Sequence, residues 1–243
     1  MQAEQLRCAT WNIHRAKGSD GNVDPGRIVE AIDHSLTPLG LHVLALQEAD
    51  GECRPHASVV NVQEIATRTG LEYIHDCALR WGTESDGFLG TILFLSPSLE
   101  RTKTDLIDLP GHCHRGAVSV EATFNTREVR IVSTHLSLSQ PLRIIQMRTI
   151  GQYLRRRPPM QTILLGDLNE WRPWSGLMLN RRLIGTALRG PARRTFPSRW
   201  PLLPLDRILT NAPGKVLQLR TVTSTKVALA SDHLPLEATV TVP

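Results

Sequence analysis

Residues 163–170 read ILLGDLNE, an apolar run that changes abruptly into polar side chains. Its apolar part predicts a buried strand over residues 161–165. The same arrangement recurs in ALQE (residues 45–48), IVSTHLSL (residues 131–138) and ASDHLPL (residues 230–236). Polar groups at the ends of rigid strands are typical of binding and catalytic sites. We therefore expect these strand ends to converge on one site.

Outward from these stretches, strand and helix patterns alternate at first, and strands then dominate the chain. Further strands are predicted at residues 6–14, 41–47, 71–76, 91–95, 102–108, 117–124, 129–136, 205–209, 216–223 and 236–242. Helices are predicted from Pro25 to about residue 34 with Asp24 as the N-cap, at 61–69 before Gly70, at 142–154, and as a short helix at 174–183. This order predicts an α/β sandwich, in which helices cover the outer faces of two packed sheets.

The composition is that of an ordinary globular protein, with 243 residues, 41% of them hydrophobic and 21% charged. It excludes disordered and fibrous classes, and we expect one domain, residues 1–243. The net charge of +5 and the pI of about 9.4 favour a polyanionic partner: nucleic acid, a phospholipid headgroup or a small phosphate. The start lacks the apolar run of a secretory signal, and no run of about 18 apolar residues occurs, which predicts a cytoplasmic location. Since no coiled-coil pattern appears, we expect a monomer.

The four cysteines are widely spaced and form no C-x-x-C pair, so neither a zinc cluster nor a disulfide framework is indicated. The run His112-Cys113-His114 has metal-ligand residue types. Adjacent residues on an extended chain point to opposite sides, however, which makes joint ligation of one ion awkward. We expect a surface loop there.

The polar residues at the strand ends match the requirements of metal-assisted phosphoester cleavage, which needs oxygen ligands, acid–base groups and donors for phosphoryl oxygens. They are Asn12, His14, Glu48, Arg115, His135, Asp167, Asn169, Asp206, Asp232 and His233. Glu48 and Asp232, with the amide oxygen of Asn12, suit magnesium, whereas a closed zinc site needs more His or Cys. Each residue alone has an ordinary structural explanation, such as a turn former or a core histidine. Their joint occurrence favours a site.

In this order, the clusters resemble the endonuclease/exonuclease/phosphatase superfamily. The resemblance rests on Trp11-Asn12, Gln47-Glu48, Thr134-His135-Leu136, Gly166-Asp167-Leu168-Asn169 and Ser231-Asp232-His233. It implies a four-layer α/β/β/α sandwich of two mixed β-sheets flanked by helices, with the site at one rim. It also implies a magnesium-dependent phosphoesterase, with manganese as a substitute ion.

The resemblance implies a role for each matching position. Glu48 is expected to be the principal metal ligand, with Asn12 and Asp232 supporting the ion. Asp167 and Asn169 are expected to orient the attacking water and a phosphoryl oxygen. His233 is expected beside the scissile phosphate with its ring held by Asp206. Arg115 is expected to bind phosphate, and His135 to be a general acid or a second phosphate contact.

Departures from the superfamily pattern narrow these expectations. Thr134-His135-Leu136 resembles the branch with pancreatic-type deoxyribonucleases, sphingomyelinases, inositol-polyphosphate phosphatases and deadenylases, which disfavours repair of abasic sites. His14 stands where repair enzymes have an aspartate near the metal, so we expect one ion. The sequence identifies no carboxylate partner for His135.

Two hypotheses remain open. The first is an active phosphodiesterase that hydrolyses nucleic acid, a phospholipid or a small phosphodiester by in-line attack of water. The alternative is a catalytically silent superfamily member that binds a phosphate ligand or nucleic acid. The segment 189–204 is basic and aromatic, and the sequence assigns it either to substrate recognition or to a proline-rich surface connection.

Overall fold

The computed structural model describes residues 3–111, 115–174 and 176–243. The strands are β1 (Glu4–Asn12), β2 (Val43–Gln47), β3 (Glu72–Tyr73), β4 (Ile92–Leu95), β5 (Leu99–Leu109), β6 (Arg115–Phe124), β7 (Arg127–His135), β8 (Gln161–Asp167), β9 (Asp206–Thr210), β10 (Val216–Thr221) and β11 (Leu236–Val242). The helices are α1 (Pro25–Ser35), α2 (Val62–Thr69), α3 (Gln140–Arg155), α4 (Arg181–Ile184) and α5 (Thr225–Ala230). The loop predicted at His112, Cys113 and His114 lies outside the described residues. No helix in the described ranges is long and apolar enough to span a bilayer.

The strands form two mixed sheets. The first has the order β10-β11-β1-β2-β4-β3, and the second has the order β5-β6-β7-β8-β9. Each sheet contains one parallel pair, β1 with β2 in the first and β7 with β8 in the second, and its other pairs are antiparallel. The parallel pairs matter for the site because they place two strand ends side by side at one edge.

Three apolar clusters define the layers. The first lies between the sheets and contains Leu6 and Val43 from one sheet and Val118 and Ile163 from the other. The second packs α1, α2 and α5 on the first sheet, and the third packs α3 and α4 on the second. Burial of both faces of each sheet confirms the predicted α/β/β/α sandwich.

The helix ends follow from local sequence signals. The Asp24 carboxylate accepts a hydrogen bond from the Arg27 amide, and Pro25 occupies the first turn of α1. The Asn61 side chain caps α2 in the same way, and Gly70 ends that helix with a left-handed φ of +69°. The Asp24 N-cap and the Gly70 C-cap confirm the prediction, whereas Asn61 was predicted inside the helix and caps it instead.

Three local predictions differ from the structure. The first strand ends at Asn12 rather than residue 14, because residues 14–16 adopt positive φ angles of 47°, 51° and 58°. The helix predicted at 174–183 is wrong: a 3₁₀ turn (Leu177–Leu179) and the one-turn α4 occupy this part, and Gly176 has a left-handed φ of +50° that interrupts a helix. The short helix α5 was not predicted.

Candidate active site

Strand register brings the predicted residues to one edge of the sandwich. Asn12 pairs with Gln47 at the ends of β1 and β2, directly before Glu48. In the second sheet, Asp167 pairs with both His135 and Asp206. Gly166, in β8, is required for this approach, because a Cβ atom there would lie 1.9 Å from the Thr134 carbonyl oxygen.

The strand ends surround a cleft of about 410 Å³. Its lining includes the predicted residues Asn12, His14, Glu48, Arg115, His135, Asp167, Asn169, Asp232 and His233. Asp206 is fully buried behind His233. The structure therefore brings all ten of the predicted residues into one region.

The Trp11-Asn12 and Ser231-Asp232-His233 motifs bind each other across the chain. The Trp11 indole donates to the His233 carbonyl oxygen at 2.8 Å. The Ser231 hydroxyl donates to the Asn12 carbonyl oxygen at 2.8 Å and accepts from the His233 amide at 3.1 Å. These buried bonds fix the backbone of His233 next to β1, so the motifs form one structural unit.

Glu48 carries the carboxylate at the floor of the cleft. Its Oε2 accepts a 2.6 Å hydrogen bond from Arg15 Nη1, and its Oε1 lies 3.3 Å from Asn12 Nδ2. The left-handed turn at residues 14–16 directs Arg15 into this position. Sequence reasoning missed Arg15, because no residue in the turn is a glycine that would signal positive φ.

The Asn12 amide links the two sheets. Its Nδ2 donates to Asp167 Oδ2 at 2.9 Å as well as to Glu48, while its Oδ1 accepts from the His14 amide at 2.9 Å. In this orientation the amide nitrogen faces the carboxylates. The hydrogen-bond network determines this orientation of the amide. Metal ligation by the predicted amide oxygen therefore requires rotation of the Asn12 side chain.

His135 is a buried, neutral histidine. Burial, followed by the positive charge of Arg115, lowers its pKa to about 3. Arg115 Nη1 lies 2.9 Å from His135 Nδ1, and a guanidinium can only donate. Nδ1 is therefore unprotonated, and the ring proton lies on Nε2, which is 3.4 Å from Asp167 Oδ2 and 3.9 Å from Glu48 Oε1. The structure thus gives His135 an arginine on one nitrogen, and two carboxylates together with the Asn169 amide, whose Nδ2 lies 3.3 Å from Nε2, on the other.

His233 is a charged histidine. Burial alone would lower its pKa, but Asp206, Asp167 and Asp232 together raise it to about 10. Its Nδ1 contacts Asp206 Oδ2 at 2.9 Å, and its Nε2 lies 3.8 Å from Asp167 Oδ2. A hydrogen bond thus joins Asp206 to the His233 ring, and the role of Asp206 in holding that ring stays a prediction.

The segment 189–204, whose role the sequence left open, supports His233 from behind. The Thr195 hydroxyl donates to the same Asp206 oxygen at 2.5 Å, and the Phe196 ring packs on the His233 ring with centroids 4.9 Å apart. The Thr195 carbonyl also accepts from the Leu234 amide at 2.8 Å. Sequence reasoning missed Thr195 because its partner lies eleven residues away, with no motif between them.

The carboxylates fit a divalent cation. Asp206 Oδ1 and Asp232 Oδ1 are buried and have no hydrogen-bond partner among the described residues, although His14 Nδ1 lies 3.4 Å from the latter. Buried acceptors without partners are unfavourable unless a cation or a water compensates them. Within the described residues, ligand atoms of Asp167, Asp206 and His233 also lie within 4.8 Å of one another. A cation bound by all three would compete with the His233–Asp206 hydrogen bond, and magnesium prefers oxygen ligands.

A second, smaller cavity adjoins the cleft. Its volume is about 240 Å³, and it shares Arg15, Glu48 and Arg115 with the cleft. The rest of its lining is Asp50, Gly51, Glu52, His56, Trp81, Leu89 and Gly90. The two cavities therefore meet at the charged residues of the site.

Two sequence comparisons match this chain over almost its whole length. The profile of the Endonuclease/Exonuclease/phosphatase family matches residues 9–233. Escherichia coli K12 YbhP, described as uncharacterized, is 24% identical over 256 residues, which cover 98% of this chain and 97% of YbhP.

Solved structures share the fold. An endonuclease/exonuclease/phosphatase from Bacteroides vulgatus superposes with a TM-score of 0.77 and 15% identity, over 99% of this chain and 100% of that chain. Danio rerio TDP2, complexed with a single-strand DNA product, has a TM-score of 0.71 and 16% identity, over 98% of this chain and 99% of that chain. The chain therefore belongs to the endonuclease/exonuclease/phosphatase family, whose members are usually phosphoester hydrolases and typically depend on a divalent metal.

Proposed function

We propose that the chain is a magnesium-dependent phosphodiesterase. One observation carries the proposal: the Nε2 atoms of His135 and His233 face the same carboxylate oxygen of Asp167, at 3.4 and 3.8 Å. A carboxylate between two imidazole N–H groups suits attack of water on a phosphate, because it can orient the water while the N–H groups bind phosphoryl oxygens.

The roles follow from the state of each group. His233, charged and held by Asp206, donates to the phosphoryl group where negative charge increases. His135 is neutral, which favours the second phosphate contact over the general acid. Asp167 and Asn169 orient the water, and the guanidinium of Arg115 binds a phosphoryl oxygen. The oxygen of water forms a bond to phosphorus and gives one proton to the Asp167 carboxylate, one P–O ester bond breaks, and the departing alkoxide oxygen takes up a proton from solvent. Asp167 then returns its proton to solvent, so that one water is added across the ester bond.

Glu48 and Asp232, with Asn12 in support, would hold one ion. When bound, magnesium or manganese supplies positive charge that polarises the phosphate and offsets the charge of the transition state. The unpartnered oxygen of Asp232 supports this ligand set.

The two cavities support a diester rather than a monoester. A phosphodiester carries two substituents, and the site lies where cavities of about 410 and 240 Å³ share Arg15, Glu48 and Arg115. Phosphate bound at the shared residues would direct one ester arm into each cavity. A monoester would leave one cavity without a substituent.

The test is hydrolysis of bis-p-nitrophenyl phosphate and p-nitrophenyl phosphate with magnesium, manganese or EDTA. We expect metal-dependent turnover with preference for the diester, and a loss of at least about 100-fold in His233→Ala. His34→Ala, in the last turn of α1, is the matched control and should retain wild-type activity. Metal-independent turnover, or a fully active His233→Ala protein, would contradict the proposal. Folded protein that binds phosphodiesters without turnover would instead support the silent binding module.

A further inference from the structure

The mouth of the cleft exposes apolar side chains. Leu138, Trp171 and Leu203 line the cleft, yet they are 78%, 51% and 36% exposed. Single exposed apolar residues are common on protein surfaces, but several around one cleft are typical of an interaction site. The apolar groups therefore lie where a substrate must enter.

The segments that supply these residues carry further exposed apolar groups. Trp174 follows Trp171 by three residues and is 73% exposed. Trp200 and Leu202 are 79% and 62% exposed, in a turn closed by backbone bonds between Phe196 and Leu203. We call the six exposed residues the apolar rim: Leu138, Trp171, Trp174, Trp200, Leu202 and Leu203.

The turn of the apolar rim is fixed to the active site. The Ser198 amide donates to the Asp232 carbonyl oxygen at 2.7 Å, and the Ser198 hydroxyl donates to the Ala228 carbonyl oxygen at 3.0 Å. Phe196, at one end of the turn, packs on His233. Since these contacts hold the turn, Trp200 and Leu202 project from a supported position beside the catalytic residues.

The same segment is positively charged. Arg193, Arg194 and Arg199 are exposed, and the chain carries a net charge of +5. Tryptophan and leucine beside arginine are typical of surfaces that enter the headgroup region of an anionic bilayer. Single-stranded nucleic acid would use aromatic rings for stacking, but it gives no role to exposed leucines. The aliphatic half of the apolar rim therefore favours lipid.

We propose that the apolar rim docks on an anionic phospholipid bilayer and that the substrate is a phospholipid diester. The acylated arm enters past the apolar rim, and the polar headgroup arm occupies the 240 Å³ cavity lined by Asp50, Glu52 and His56. This inference rests on the proposed phosphodiesterase activity and names its substrate class.

The test is binding of the full chain to vesicles of phosphatidylglycerol and phosphatidylcholine, measured by co-sedimentation and by the blue shift of tryptophan emission. The Trp174→Ala/Trp200→Ala double variant should bind at least about tenfold more weakly than wild type, with an unchanged melting temperature. Leu217→Ala is the matched control, because this 50% exposed leucine lies near the start of β10, which pairs with the end of β11 distant from the site. We expect the control to bind as wild type does, and binding to weaken with salt or on pure phosphatidylcholine.

Two further measurements separate the failure of each proposal. Wild-type turnover of bis-p-nitrophenyl phosphate tests the phosphodiesterase by itself. Two results would refute the docking surface while the phosphodiesterase proposal stands, provided that this turnover is present. In the first, the wild-type protein does not bind vesicles; in the second, the double variant binds them as well as wild type does. If the double variant loses binding to an oligothymidine strand and wild type ignores vesicles, the apolar rim is a nucleic-acid surface and the lipid proposal is wrong.

Discussion

Substitution of Asp206 by asparagine should move the pH dependence of catalysis into the neutral range. Two unit charges 2.9 Å apart attract by about 6 kcal/mol at an effective dielectric constant of about 20, which corresponds to about four pKa units. The pKa of His233 is about 10 with the carboxylates in place. Without Asp206, burial should return the pKa to near neutral pH, and His233 would be mostly uncharged at pH 8.

The assay is kcat against pH from 6 to 10.5 with bis-p-nitrophenyl phosphate and saturating magnesium. If His233 donates to phosphate in its charged form, as proposed, wild-type kcat should persist into the alkaline range, because the surrounding carboxylates raise the pKa of His233. The Asp206→Asn profile should fall from near neutral pH, with a loss of about 100-fold at pH 8 and a smaller loss at pH 6. Asparagine leaves the shape of the side chain almost unchanged, so the shift reports the charge.

A double-mutant cycle with His233→Ala gives the decisive comparison. If Asp206 acts through His233, Asp206→Asn should cause little further loss of kcat in a His233→Ala background, whereas its effect on thermal stability should remain. Equal losses in both backgrounds, or a parallel drop of the pH profile without a shift, would refute the reasoning. Either result would show that Asp206 supports the fold and does not control the charge of His233.

Three further predictions concern metal, phosphate and stability. Glu48→Gln should abolish the magnesium-dependent rise in melting temperature and reduce kcat by about 1000-fold; calorimetric melting with and without magnesium checks this. Arg115→Lys should raise KM by about tenfold with a smaller effect on kcat, because one ammonium replaces the fork of donors between His135 and phosphate; steady-state kinetics measures the split. Burial lowers the pKa of His75 to about 4, so its neutral form stabilises the fold fully above pH 6.5 and this stability is lost as pH falls towards 4. The free energy of unfolding, measured with urea, should fall by about 3 kcal/mol between pH 6.5 and pH 4. A His75→Gln variant should lack this fall.

The sequence predicted the layers of the fold because their signals are local. The Asp24 cap lies three residues before the amide that it binds, and Gly70 directly follows the helix that it ends. The short α5 has no such periodic signal, because six residues are too few to show it. Val227 and Ala230 are its buried side chains, and they hold the helix on the first sheet. The element is stabilised by packing, which a local pattern does not reveal.

The residues of the candidate site also fall into two groups, those with a local sequence signal and those without one. Motif residues such as Glu48 and His233 were predicted because several short sequence patterns occur together in this chain. Each pattern alone has an ordinary structural explanation, but their joint occurrence favours a site. Arg15 and Thr195 were missed because each acts through a partner fixed only by the tertiary structure, Glu48 for Arg15 and Asp206 for Thr195. The segment that carries Thr195 showed only a compositional signal, which did not distinguish a substrate-recognition loop from a proline-rich surface connection. Its contacts with Asp206 and His233 are visible only in the structure.

The formal charges around the cleft favour a single ion. Four carboxylates contribute to the site: Glu48, Asp167, Asp206 and Asp232. Four positive groups contact them or line the cleft: Arg15, Arg115, Arg143 and the charged ring of His233. The formal charges of these eight groups cancel, so one divalent cation and one phosphodiester anion leave one positive charge on the assembled site. A second divalent cation would leave three positive charges uncompensated in a partly buried cleft, which is costly in a low-dielectric environment. The contact of Arg15 with Glu48 thus supports the proposal of one ion. The sequence first indicated one ion because His14 stands where repair enzymes have an aspartate.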